Sequence, residues 1–213
     1  MNDKKKLLLG IILFGSLWGG LEAFGISLMD SLNFSPKSPI LAATGILILG
    51  TARVIFPRRG TTFLIGLFAA GFKFLTLPQI FMCQVEAVMI QGLVLEIAFS
   101  YAQSLKVSRW FSLGFVGFLS MYLNYFVFAI LQTYIVLNSY WAEQGFSRVL
   151  SYTFIEGTYA AVLCFFFVNL GFALGRFLSP AFNQWQAIKA KTYGIATLVV
   201  SLGCWVSGFM LYR

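Results

Sequence analysis

The feature that most constrains this chain is a series of apolar runs, each close to the length that crosses a bilayer. A transmembrane helix needs about 20 mostly apolar residues. Seven runs of suitable length occur, over about 7–29, 38–56, 61–79, 82–104, 109–137, 153–177 and 192–212. The ten-residue segments of alternating polarity that are typical of a membrane β-barrel are absent. The sequence therefore predicts an all-α polytopic transmembrane bundle that forms one domain over 1–213.

The composition agrees with a membrane protein and excludes several functions. The chain is 59% hydrophobic and 10% charged, whereas soluble domains carry about 25% charged residues. The net charge of +8 does not indicate a nucleic-acid partner, because the basic residues lie in short gaps between apolar runs. The chain has no His, which excludes histidine-based metal sites and Ser–His catalysis. We expect no metal, no cofactor and no nucleic acid.

The number of spans depends on the third and fourth runs, which are divided only by Leu77-Pro78-Gln79. These runs form either two spans or a re-entrant hairpin over 61–104. Six spans are the alternative to seven, if either this pair or the final run is not a full span.

Charge placement favours seven spans with a cytoplasmic N-terminus, because cytoplasmic segments carry an excess of Lys and Arg. Seven spans place eleven basic residues inside and three outside, and leave Lys73 within a span. The inside set is Lys4, Lys5, Lys6, Arg53, Arg58, Arg59, Lys106, Arg109, Arg176, Lys189 and Lys191, and the outside set is Lys37, Arg148 and Arg213.

Five charged residues from four runs are expected in the outer half of the membrane: Glu22, Lys73, Glu86 and Glu156, which form the predicted pocket, and Asp30 at the outer end of the first run. A charge at the bilayer centre costs at least about 2.5–3.5 kcal/mol, so such residues face a protein interior or a water-filled cavity. Their similar depth predicts a polar pocket that opens outward. The alternative is a Lys–Glu pair that only fixes the packing of the helices.

Two other charges are expected away from this pocket. Glu96 lies deeper and toward the cytoplasm. Arg53 lies near the inner end of its run, close enough for its long side chain to snorkel to the surface.

Uncharged residues complete the predicted substrate-binding set, because small-molecule sites combine aromatic walls with a few polar anchors. The set adds Trp18, Gln91, Asn124 and Tyr125 to the four charges. Other side chains that could line the same pocket are Gln84, Gln132, Tyr122 and Tyr159. Since one Lys neutralises one carboxylate and three are present, the expected solute is cationic or rich in hydrogen-bond donors.

The first run also carries a small-residue face. Gly15 and Gly19 form a G-x-x-x-G motif, and Ser16 and Gly20 follow each by one position. Small residues at this spacing let helices approach closely. The motif predicts either packing within the chain or docking against a partner subunit.

Known energy-coupling and catalytic motifs are absent. The sequence has no Walker A motif, and no G-x-S-x-G, H-E-x-x-H or paired-Asp catalytic motif. We therefore predict that the chain is not an enzyme, has no catalytic residues, and depends on partner subunits for energy.

The segments FPRRGTTFLIGLFAAGFKFL (56–75) and QVEAVMIQGLVLEIAF (84–99), with the basic N-terminus and the small-residue first helix, resemble the S component of an energy-coupling factor (ECF) transporter. This family implies capture of a vitamin-like solute or a metal ion from outside, with a transmembrane coupling subunit and two ATPases as partners. It also implies that Gly15, Ser16, Gly19 and Gly20 contact the coupling subunit. Members typically have six spans.

Two functions follow as hypotheses. The first is a substrate-binding transport subunit of the bacterial cytoplasmic (inner) membrane, which holds a small vitamin-like or cationic solute in the outward pocket. The second is an accessory subunit of a larger membrane complex, in which the buried charges and glycine faces serve helix packing.

Overall fold

The computed structural model describes residues 3–76, 82–105, 109–188 and 190–211. Within these ranges the chain is helical and contains no strand, which confirms the predicted all-α bundle. The helices are α1 (Asp3–Ser31), α2 (Lys37–Ile55), α3 (Thr61–Thr76), α4 (Met82–Ser104), α5 (Trp110–Ile130), α6 (Ser139–Ala142), α7 (Gly145–Ser151), α8 (Gly157–Ile188) and α9 (Ala190–Leu211). The dividing segment Leu77-Pro78-Gln79 and the basic residues Lys106, Lys189 and Arg213 lie outside the described residues.

In the described part of the chain, six helices are long and apolar enough to cross a membrane, so the chain is a membrane-spanning helical bundle. They comprise α1, α2, α4, the α5 helix extended to Ile135, the helix Gly145–Gln184, and the α9 segment Thr192–Met210. The third apolar run forms α3, which has 16 residues. At 1.5 Å per residue α3 spans about 24 Å, less than the roughly 30 Å of a bilayer core.

The surface of the bundle is suited to lipid. Large apolar side chains point outward along every long helix, and Phe177 and Met210 are 79% and 75% exposed. Buried polar side chains occur inside, including Glu22, Lys73 and Gln132. An apolar exterior around a partly polar interior is what a bilayer requires, since polar groups in hydrocarbon need internal partners.

Glycines set the closest helix contacts. A Cβ built on Gly66 of α3 would lie 2.9 Å from the Cα of Gly92 on α4. A Cβ on Gly171 of α8 would lie 2.6 Å from the carbonyl oxygen of Leu47 on α2. At both crossings backbone meets backbone, so any side chain would push the two helices apart.

Helix α1 ends in a Schellman motif that fixes the connection to α2. Asn33 adopts a left-handed conformation with φ 49°, which Asn tolerates better than most residues. The Phe34 N–H donates to the Met29 carbonyl at 2.9 Å, and the Asn33 N–H donates to the Asp30 carbonyl at 3.1 Å. Both bonds satisfy carbonyls that the helix end leaves open. The motif therefore places Asp30 beside the start of α2.

The chain between the fifth and sixth apolar runs is largely helical. π-helical turns at Leu131–Ile135 and Tyr152–Glu156 flank the short helices α6 and α7, and a continuous helix runs over Gly145–Gln184. The sixth apolar run, 153–177, is therefore shorter than its helix. Apolar runs mark the lipid-facing part of a helix, whereas hydrogen bonding continues the helix into polar sequence.

Candidate functional site

A cavity of about 440 Å³ lies among the helices at the end of the bundle where α1 ends and α2 begins. We call this end the Asp30 end; the sequence predicts that it faces outward. The lining residues are Glu22, Ile26, Asp30, Lys37, Ser38, Leu41, Ala42, Lys73, Cys83, Gln84, Ala87, Val88, Gln91, Asn124, Tyr125, Phe128 and Tyr152. The volume falls in the range of small-molecule sites, about 300–1,000 Å³.

One face of α1 forms a wall of the cavity. Glu22, Ile26 and Asp30 line it at intervals of four residues, a spacing that places side chains on the same helix face. Glu22 and Asp30 are two turns apart, or about 12 Å along the axis. The two carboxylates therefore occupy different depths, one inside the bundle and one near its end.

The deep carboxylate belongs to a buried ion pair. The Lys73 ammonium on α3 donates to Glu22 Oε2 at 2.8 Å, and both side chains are at most 5% exposed. The indole N–H of Trp18 donates to Glu22 Oε1 at 3.3 Å. Each carboxylate oxygen thus has a donor, which is how a buried charge is normally held. Trp18 itself is fully buried and is not among the residues that line the cavity.

The outer carboxylate is also paired. Lys37, the first residue of α2, forms an ion pair with Asp30, and both side chains are well exposed. Ser38 follows on α2 and shares a hydrogen bond of 2.6 Å with the Tyr125 hydroxyl. The end of α1, the start of α2 and the end of α5 are therefore joined at the mouth of the cavity.

The opposite wall carries amide side chains from α4 and α5. Gln91 Nε2 donates to the Ala42 carbonyl at 2.8 Å. The oxygens Gln84 Oε1 and Asn124 Oδ1 are buried and have no hydrogen-bond partner among the described residues. Buried acceptors without partners are uncommon in native proteins, and a bound molecule or water normally satisfies them.

An aromatic surface completes the cavity. The rings of Tyr125 and Tyr152 stack with centroids 5.0 Å apart and planes at 26°. Phe128 lines the same cavity and lies 5.9 Å from the Tyr152 ring. Flat apolar surface beside a few polar anchors is the usual character of a small-molecule site.

The cavity brings together five of the eight residues predicted to bind a substrate: Glu22, Lys73, Gln91, Asn124 and Tyr125. Trp18 stands one turn behind Glu22. Glu86 and Glu156 do not line the cavity in this structure, although both lie in helices that contribute to this end of the bundle.

The two remaining acids have partners of their own. Glu86 Oε2 accepts a hydrogen bond of 2.5 Å from Gln132 Nε2. Glu156 lies 4.0 Å from the Arg148 guanidinium, which also packs over the rings of Tyr140 and Trp141. The expectation of excess carboxylates in one pocket is therefore wrong, because Lys37, Arg148 and Gln132 supply partners that sequence reasoning did not assign.

Of the other residues predicted to be possible lining, one lines the cavity and three do not. Gln84 lines the cavity, whereas Gln132 binds Glu86. The Tyr122 hydroxyl shares a hydrogen bond of 2.6 Å with Thr158, and Tyr159 is 59% exposed on the outside of α8. Neither tyrosine lines the cavity: Tyr122 packs against the hydrophobic core, and Tyr159 faces outward.

The small-residue face of α1 packs within the chain. A Cβ on Gly15 would lie 2.8 Å from Phe68, and one on Gly19 would lie 2.6 Å from Phe72, both on α3. Ser16 is fully buried and accepts a hydrogen bond of 3.3 Å from the Trp205 indole on α9. Gly20 faces Cys204 of α9. Of the two expectations for this face, the structure supports intramolecular packing, because α3 and α9 cover it.

The expectation that Arg53 snorkels to the surface is wrong. Arg53 is 1% exposed and its Nη1 donates to Glu96 Oε1 at 3.0 Å. Its Nη2 donates to Ser100 and Gln103 of α4, at 2.8 and 2.9 Å. The Thr62 N–H also donates to Glu96 at 2.9 Å. The Arg53–Glu96 pair joins α2 to α4 away from the cavity. This agrees with the prediction that Glu96 lies deeper than the pocket and toward the cytoplasm.

The predicted substrate-binding set lacked several lining residues, of which two had a usable signal; one of these, Asp30, was already expected in the outer half of the membrane. Ile26 and Asp30 lie four and eight positions after Glu22, so the helical repeat alone indicates the same face. Cys83, Ser38 and Tyr152 carried no comparable signal, because their place in the cavity depends on how separate helices pack.

Comparison of the chain with protein-family models, with curated proteins and with solved structures gave no match. The fold and the site therefore define the class of molecule by themselves: a membrane-spanning helical bundle with a polar cavity between its helices at one end.

Proposed function

We propose that this chain is a substrate-binding subunit for transport, which captures a small solute in the cavity at the Asp30 end. The observation that carries the proposal is the cavity of about 440 Å³, which is lined by two ion pairs and by amide oxygens from two helices. These oxygens have no hydrogen-bond partner in the part of the chain that the structure describes. If these residues served only to pack the helices together, side chains would fill a cavity of this size, because native interiors are close-packed.

The proposed location is the cytoplasmic membrane of a bacterium, with the cavity facing outward. This orientation rests on the excess of basic residues predicted inside. The ion pair of 3.7 Å between Asp3 and Arg58 supports it, since it joins the N-terminus to the α2–α3 loop at the end opposite the cavity.

Energy for transport would come from partner subunits, because the sequence has no ATP-binding motif. The resemblance to ECF S components adds a transmembrane coupling subunit and ATPases to this proposal. Such a subunit would have to contact a surface other than Gly15 and Gly19, which α3 covers.

The test is retention of a solute. The chain is purified in a mild detergent, and released small molecules are identified by mass spectrometry for the wild type, Glu22→Gln and Glu143→Gln. Glu143→Gln is the matched control, because Glu143 is exposed and does not line the cavity. We expect a defined solute on the wild type and the control, and reduced occupancy on Glu22→Gln. Equal occupancy in all three proteins would refute the site.

The second candidate is an accessory subunit of a larger membrane complex. The observation in its favour is that the acids lining the cavity are already paired with Lys residues of other helices, as structural ion pairs are. Isolation from native membranes distinguishes the two: a stable complex that contains no ATPase and no retained solute supports the accessory role.

A further inference from the structure

The charges that line the cavity cancel. Among the described residues, the lining contains two carboxylates, Glu22 and Asp30, and two ammonium groups, Lys73 and Lys37. Each carboxylate is paired with one ammonium group. A charged solute would give up its hydration and meet only fixed charges that are already neutralised, so no opposite unpaired charge would offset the loss.

The free hydrogen-bonding capacity of the cavity is of both kinds. Both oxygens of Glu22 already accept bonds, so this carboxylate has little capacity for a cation. An ammonium group has three N–H donors, and Lys73 uses one of them on Glu22. Within the described ranges, the lining acceptors without a partner are Gln84 Oε1 and Asn124 Oδ1. A ligand that suits this lining offers an acceptor to Lys73 and N–H or O–H donors to the two amides.

We infer that the cavity selects a solute of no net charge that carries both hydrogen-bond donors and acceptors on a compact, partly planar body. The planar part follows from the aromatic side chains of Tyr125, Phe128 and Tyr152, which line the cavity. This inference rests on the proposed function and narrows it: the cationic solute expected from the sequence loses its support, because Lys37 neutralises Asp30 and Lys73 neutralises Glu22.

The chain contains its own reporter of this selectivity. Cys83 lines the cavity and is half-buried. Of the other two thiols, Cys164 is fully buried, and Cys204 lies on α9 against Gly20, away from the cavity. Reagents that share one reactive group but differ in charge can therefore probe the cavity through the rate at which they modify Cys83.

The experiment uses the full chain carrying Cys204→Ala, purified in detergent. Three methanethiosulfonates are compared: hydroxyethyl (neutral), trimethylammonium-ethyl (cationic) and sulfonatoethyl (anionic). Each rate of modification, followed by intact mass, is divided by the rate for 2-mercaptoethanol in the same micelles. A variant with both Cys83→Ala and Cys204→Ala gives the background from Cys164.

We expect the normalised rate of the neutral reagent to exceed those of both ionic reagents by about tenfold, since each ion must shed its water to enter. A cationic or anionic reagent that matches or exceeds the neutral one would overturn the inference. Equal rates for all three would also overturn it while leaving the proposed cavity in place.

Failure of the proposed function gives a different result. If none of the reagents modifies Cys83 in the folded protein but all do so in SDS, the cavity is closed, and both the inference and the proposed function fall.

Where Cys83 is accessible, two variants test the cause of the selectivity. Lys73→Met should raise the cationic rate relative to the anionic rate by about tenfold, and Glu22→Gln should shift the ratio the other way. Glu143→Gln should leave the ratio unchanged, since Glu143 is exposed and does not line the cavity.

Discussion

Removal of one member of the Glu22–Lys73 pair should destabilise the protein far more than removal of both. Lys73→Met leaves a carboxylate in a site that is at most 5% exposed, and Glu22→Gln leaves an ammonium group there. Breaking a buried ion pair from one side typically costs 3–5 kcal/mol. We expect each single change to lower the free energy of unfolding by about 3 kcal/mol, the lower end of that range, because the pair borders a cavity.

The double variant Glu22→Gln with Lys73→Met should recover most of that loss. It contains no buried charge, the glutamine oxygen can still accept from the Trp18 indole, and methionine fills much of the volume of the lysine stem. We expect a net loss of about 1 kcal/mol, which makes the coupling energy between the two sites several kcal/mol in a double-mutant cycle.

The assay is unfolding by SDS in mixed micelles, with refolding on dilution to establish reversibility. Glu143→Gln is the control for loss of a carboxylate that is exposed. Additive losses in the double variant, or single losses below about 0.5 kcal/mol, would show that water screens the pair and that Glu22 and Lys73 do not depend on each other.

Three further predictions concern the rest of the bundle and use the same unfolding assay. Arg53→Met should lower the free energy of unfolding by about 3–5 kcal/mol, because it leaves the buried Glu96 carboxylate without its charged partner. Arg58→Met removes a residue of an exposed ion pair of 3.7 Å and should lower it by less than about 1 kcal/mol. Equal losses would contradict the assigned burial of Arg53. Gly66→Ala should lower the free energy of unfolding by about 1–3 kcal/mol, because the added methyl group separates α3 from α4. Gly71→Ala on the same helix has open space around it and should stabilise the helix slightly. If Gly66→Ala does not change the stability, the close crossing of α3 and α4 is wrong. Gly15→Leu should destabilise the isolated chain by at least about 2 kcal/mol if α3 covers this face, and an unaffected chain would restore the face as a candidate partner surface.

The candidate site was partly accessible from the sequence. Charges within apolar runs indicate a polar interior, and the alternation of spans places Glu22 and Lys73 at the same depth, where the structure pairs them. The partners of Glu86 and Glu156 were not accessible, because they depend on the path of the chain over 131–156. That segment forms π-helical turns and two short helices, and no periodic pattern in the sequence predicts such a path.

The sequence by itself determined the solvent and the secondary structure. Apolar runs of about 20 residues can satisfy their backbone in lipid only as helices or closed barrels, and the runs lack a strand pattern, so a helical bundle follows without knowledge of any contact. Tertiary structure alone decided which groups neutralise one another and which remain open. Each helix has several faces, and tertiary packing decides which neighbour each face meets. In this bundle the glycines of α1 lie against α3 and α9, and Arg53 is buried against Glu96. Gln84 and Asn124 keep side-chain oxygens that have no partner among the residues described here.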